Sequence, residues 1–168
     1  MRLPSETSHR ETVARFFATM LLGLVLLLCG PLAVAQNTLG ELLDAGARKL
    51  SAAEFKDELV QRVIVGPSAQ GGSLEVIYST GGIVVGTALL KWKMVQSPSQ
   101  TSPVTGTWTI GEQDAICTQM TFPGMYGVNA AVRLPNRCQF WFKLGGQYFL
   151  ADSDWDRSSA VLNRTLKQ

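Results

Sequence analysis

Apolar positions along the 168-residue chain change their spacing twice. A greasy block, Phe16 to Leu28, comes first, inside a stretch from 16 to 40 that carries no charged side chain. The spacing then becomes helical. Leu39, Leu42 and Leu43 form a short amphipathic pattern, and Phe55, Leu59 and Val63 follow at i, i+4 and i+8. Ser51-Ala52-Ala53-Glu54 reads as a capping box, flanked by Leu50 and Phe55 as a hydrophobic staple. This second helix is expected to end near Arg62, because Val63-Ile64-Val65 is β-branched and Gly66-Pro67 stops a helix.

From Leu74 onward the period is two. Leu74, Val76 and Tyr78 alternate with Glu75, Ile77 and Ser79, and Thr80-Gly81-Gly82 marks a hairpin turn into a return strand, Ile83 to Leu90, kinked at Gly86. Ser97 to Pro103 reads as an exposed, mobile loop. Strands are then expected over Gly106–Ile110, Ala115–Met120, Gly127–Leu134 and Cys138–Lys143, with Gly145-Gly146 turning the chain into Gln147–Leu150. Strands this regular, separated by glycine turns, predict an antiparallel meander, curled or closed into a barrel. The expected class is α+β: N-terminal helices packed on or plugging a barrel-like β-meander. Residues 36–65 are expected to be mainly helical, 70–151 to form the meander, and 152–168 to be a C-terminal tail.

The greasy block changes the picture most. Arg2, Arg10 and Arg15 precede it and Ala33-Val34-Ala35 follows it, the layout of a secretory signal peptide over residues 1–35, cut between Ala35 and Gln36. An uncleaved anchor is the rival reading, opposed by Pro31 and by a run shorter than the roughly 20 residues a spanning helix needs. Lipid attachment at Cys29 is opposed by the bulky Leu28 before it. Cleavage implies a periplasmic or secreted protein with no stable membrane insertion afterwards, and it removes the only histidine, His9.

Of 15 basic and 13 acidic residues, three arginines and two glutamates lie in 1–35, leaving 12 and 11. That balance gives no electrostatic reason to expect nucleic acid or an anionic membrane as partner. Cys117 and Cys138 are the only cysteines beyond the leader, and an isolated pair in an oxidising compartment reads as a structural disulfide. Two thiols without histidine do not fill a zinc site, so no metal and no cofactor is expected. Ser-His and Cys-His catalysis lose their base with His9. Glu75, Glu112 and Asp114 have no spacing that selects them as a catalytic set, so the chain reads as no enzyme, with a weak carboxylate-dependent hydrolase as the last alternative. Asp152-Ser153-Asp154-Trp155-Asp156 opens like a calcium loop, but Arg157 stands where glycine is needed. A solvated acidic turn is the better reading, with Arg157 and Arg164 pairing with its carboxylates at the surface.

Gly106-Thr107-Trp108, then Cys117, then Cys138-x-x-Trp141-Phe142 and Gly145-Gly146-x-Tyr148, together with Leu50-Ser51-Ala52-Ala53-Glu54, resemble a family of small exported proteobacterial domains of unknown function. That resemblance implies no activity. The Gly-x-Trp element and the cysteine pair are also similar to periplasmic metalloprotease inhibitors and lipocalin-type barrels. Trp92, Trp108, Trp141 and Tyr148 are the candidate binding surface, either lining a ligand cavity or forming ordinary core. The expected function is a non-enzymatic binding module for a protein or small apolar ligand, with a protease-inhibitor-like barrel as the alternative.

Overall fold

The structure, a computed structural model, describes residues 36–68, 72–90, 100–123 and 131–168. The expected leader, the Ala35 side of its cleavage site, Trp92 and the first half of the expected strand Gly127–Leu134 lie outside the described residues.

Two short helices open the described chain, α1 (Leu39–Asp44) and α2 (Ala52–Leu59), with a two-residue strand β1 (Arg48–Lys49) between them. Each helix starts on a capping box: Thr38 with Glu41, and Ser51 with Glu54. In both, the hydroxyl accepts a backbone N–H at the third helical position while the glutamate returns to the cap. The strands follow: β2 (Val63–Pro67), β3 (Ser73–Tyr78), β4 (Ile83–Leu90), β5 (Gln100–Ile110), β6 (Ile116–Phe122), β7 (Val132–Arg133), β8 (Arg137–Leu144), β9 (Gln147–Ala151) and β10 (Val161–Leu166).

Neighbouring strands pair antiparallel in the order β8-β9-β10-β2-β3-β4-β5-β6, and β6 returns to β8, so eight strands close a barrel. β1 extends β8 beside this ring and β7 extends β6. The α+β assignment is therefore corrected to a mostly β, barrel fold with two short helices. Three boundaries change with it. The helical stretch ends at Leu59, and Val63–Pro67 is a barrel strand. Gln100 to Pro103, expected in a loop, begins β5, where Ser102 and Val104 are buried. The expected tail contains β10, the strand that joins β9 to β2.

Alternation sorts the side chains as a barrel requires. Ile64, Val76, Tyr78, Val84, Trp108, Ile116, Trp141, Tyr148 and Leu150 form one buried cluster with Leu50, Phe55 and Leu59 of the α2 region. The Phe55 ring lies 5.3 Å from the rings of both Tyr78 and Trp141 and 5.5 Å from Trp108. On the opposite strand face, Phe142, Phe149 and Ala151 cluster with Leu39 and Leu42 of α1. At Gly86, inside β4, a Cβ would fall 2.8 Å from the Val76 Cα, so the β3 backbone approaches β4 there more closely than a side chain would permit.

Candidate functional site

The two ends of the barrel are filled differently. Phe55, Trp108 and Tyr148 crowd the end where β3 finishes and β4 begins, and the Trp108 Nε1 donates to the Ser79 carbonyl at 2.8 Å. Towards the other end lies a cavity of about 270 Å³. Its apolar wall includes Leu74, Val76, Met120, Trp141, Leu150 and Leu162. Its polar contributors are Tyr78, Thr118, Gln139, Arg137 and Arg164, and exposed Pro135 and Asn136 stand at its rim. Among the described residues, no aspartate or glutamate lines it.

The two arginines differ. Arg137 is half exposed and pairs through Nε and Nη2 with both carboxylate oxygens of Asp152, which also accepts from Gln139. The arginine fork holds the Asp152 carboxyl below its ordinary range. Arg164 is 6% exposed and its guanidinium donates one hydrogen bond, from Nη1 to the neighbouring Asn163 carbonyl at 2.9 Å. Among the described residues no carboxylate forms an ion pair with it. The internal segments outside the description, 69–71, 91–99 and 124–130, contain no Asp or Glu. Burial lowers the Arg164 pKa and the nearby Tyr78 opposes that shift, but a guanidinium keeps its charge in a protein regardless. Burial in turn pushes the Tyr78 phenol up to about 12, so it stays a hydroxyl donor at any physiological pH.

Gly66 makes room for this arrangement. It sits on β2 beside β10, and a Cβ there would lie 2.6 Å from Arg164 Nη1 and 2.9 Å from its Cδ. Only a residue without a side chain leaves space for the arginine to lie across the neighbouring strand.

The residues singled out from sequence are scattered by the fold. Trp141 is buried and lines the cavity, whereas Trp108 and Tyr148 belong to the packed end. Cys117 and Cys138 face each other across β6 and β8 with their sulfurs 1.99 Å apart, a disulfide pair. The acidic turn is divided among separate partners: Asp152 to Arg137, Asp154 to Lys49, and Asp156 to Ser158. Arg157 binds Asp44 and the Gly40 carbonyl, and Arg164 lies inside the barrel, which corrects the expectation that both pair with that turn. Glu75 pairs with Lys167, and Asp114 accepts from the Ala52 N–H, so these two carboxylates are held apart. Residues 37–40 are tied to the chain before β10 by bonds such as Leu39 N to Ser159 O at 2.8 Å and Gly40 N to Arg157 O at 2.8 Å.

Arg164 was missed as a site residue because a charge at the middle of a short C-terminal segment reads as solvated. The available signal was the period-two frame Leu162, Arg164, Leu166, which puts the charge on the apolar face. No family model, no curated protein and no solved structure matches this chain.

Proposed function

We propose that this protein is a non-enzymatic, exported binding module that holds one small, largely apolar molecule in the unfilled half of its barrel. The observation that carries the reading is the contrast between the two halves. Aromatic rings fill one, while the other keeps a cavity of about 270 Å³ walled by leucine, valine, methionine and tryptophan. Eight strands enclose an interior just wide enough for side chains to fill, or for one small ligand. The volume falls near the lower end of the roughly 300–1,000 Å³ typical of ligand pockets. At about 30 Å³ per water-sized unit it accommodates on the order of ten non-hydrogen atoms. A carrier needs no base, metal or nucleophile, in keeping with a lining that, among the described residues, offers no carboxylate. The leader pattern and the cysteine pair support export beyond the inner membrane, and the ties on residues 37–40 favour a carrier over an inhibitor with a free N-terminal segment.

Titration with 1-octanol, followed by calorimetry and by tryptophan emission, tests this reading. One molecule should bind per chain with a change in Trp141 emission. Met120→Trp, which fills the cavity, should abolish binding without lowering the melting temperature. Failure of the native protein to bind any eight-carbon amphiphile, or equal binding by the filled variant, would remove the carrier role.

A further inference from the structure

Arg164 places a buried cation in the barrel wall without a counter-charge among the described residues. Withdrawing a guanidinium from water without a counter-charge is costly in a protein interior. A protein that needed only a filled wall at this position could use leucine or methionine, as it does at Leu162, Leu166 and Met120. Instead the fold keeps the cation and clears space for it at Gly66.

The open valences point into the cavity. Every fully enclosed side-chain nitrogen or oxygen among the described residues has a hydrogen-bond partner. The Arg164 guanidinium uses only Nη1, towards Asn163, and no described side chain or backbone group accepts from the Tyr78 hydroxyl. The remaining N–H groups of Arg164 and the Tyr78 hydroxyl are thus the atoms that open space reaches, and both residues line the same cavity. A guanidinium edge and a phenol O–H are donors, and together they match a group with two acceptor oxygens and one negative charge. Arg137 cannot serve equally, since Asp152 already neutralises it.

We infer that the ligand of this cavity is a small amphipathic acid, its carboxylate received by Arg164 and Tyr78 and its short apolar body lying along Leu74, Val76, Leu150 and Leu162. This inference rests on the carrier reading and specifies what is carried. The acid supplies the missing counter-charge, so binding relieves the desolvated cation as it buries apolar surface. Tyr78 remains protonated across the physiological range and donates to the carboxylate throughout.

The test compares three probes of equal chain length, octanoate, 1-octanol and octylamine, against the native protein at pH 7 by calorimetry. Octanoate should bind at least tenfold more tightly than octanol, and octylamine more weakly than either. Arg164→Met should bring octanoate down to the octanol affinity while octanol binding is retained, and Tyr78→Phe should remove part of the preference. Arg164→Lys should give an intermediate preference, since it keeps the charge and loses the fork. The ligand-free Arg164→Met protein should melt no lower than the native one, because an uncompensated charge has been taken out of the interior; a purely structural arginine would lower the melting temperature. Equal affinities for octanoate and octanol in the native protein, or a preference that survives Arg164→Met, overturns the acid while leaving the apolar carrier standing. No binding by any of the three overturns both.

Discussion

Glu58 joins three other residues through one carboxylate. Its Oε2 accepts from Lys143 Nζ at 2.7 Å and from the Tyr148 hydroxyl at 2.7 Å, and Arg48 Nη2 stands 3.7 Å from Oε1. One side chain of α2 is thereby bonded to β8 and β9 at the packed end of the barrel. The Lys143 hydrogen bond first, and the Tyr148 hydrogen bond second, hold its carboxyl below the ordinary value of 4.5. A carboxyl that binds its proton less tightly when folded adds stability above the unfolded pKa and loses it as pH falls through the folded one. Glu58→Gln should therefore destabilise the protein at pH 7 by about 1 kcal/mol, the scale of a partly solvated ion pair. The difference between the two proteins should shrink as pH falls below 4.5 in urea melts; a gap that does not change with acidification would mean that packing, not charge, holds Glu58. Residues of this kind are hard to read from sequence. Glu58, Lys143 and Tyr148 are 85 and 90 residues apart along the chain, and only the barrel brings them together.

Strand pairing is uneven around the ring, and the cross-link sits at one of its thin places. β4 pairs with β5 over eight positions, whereas β6 meets β8 over three and β10 meets β2 over two. Cys117 and Cys138 are the middle pair of the β6–β8 seam. The β10–β2 seam is supported by the Lys167 N–H to the Val63 carbonyl at 2.9 Å and by the Lys167–Glu75 ion pair. With the two cysteines 21 positions apart, chain entropy assigns the disulfide about 3 kcal/mol. Cys117→Ser should lower the melting temperature by on the order of 10 °C and raise hydrogen exchange first at residues 116–118 and 137–139. Unchanged melting would mean that the seam holds without its cross-link. The elements best foreseen from sequence are those with both alternation and a glycine turn, β3–β4 around Ser79–Gly82 and β8–β9 around Gly145-Gly146. β2 was obscured because Val63 continues the i, i+4 spacing of Phe55 and Leu59, and the β-branched run it opens, Val63-Ile64-Val65, is cut short by Gly66-Pro67. β10 was obscured by its own arginine, so the residue that hid the last strand is the one that makes the cavity distinctive.

Closure of the whole molecule depends on that last strand. β10 supplies Leu162 and Arg164 to the cavity wall and Leu166 to the core, and without it β9 and β2 would face each other as two unpaired edges. A barrel avoids exposed edges only by completing its ring, since an open edge presents a row of unsatisfied N–H and C=O groups. The loss is also apolar, because the inner faces of β2 and β9 would meet water through Ile64, Tyr148 and Leu150. Removing residues 161–168 should therefore do more than subtract one element's contacts. The shortened chain should keep β-type far-ultraviolet dichroism but lose near-ultraviolet signals and sharp thermal unfolding, and it should bind an apolar dye, the behaviour of a compact state without fixed packing. Removing Gln168 alone, which leaves the Lys167 ties in place, should change none of these. If the chain ending at Ala160 melts as sharply as the native protein and still binds octanol, the ring does not need its final strand, and the cavity is a property of the β3–β6 sheet and β8–β9 alone. The opposite result would make ligand binding and barrel closure one event at the whole-molecule scale, with Arg164 positioned by the strand that completes the wall.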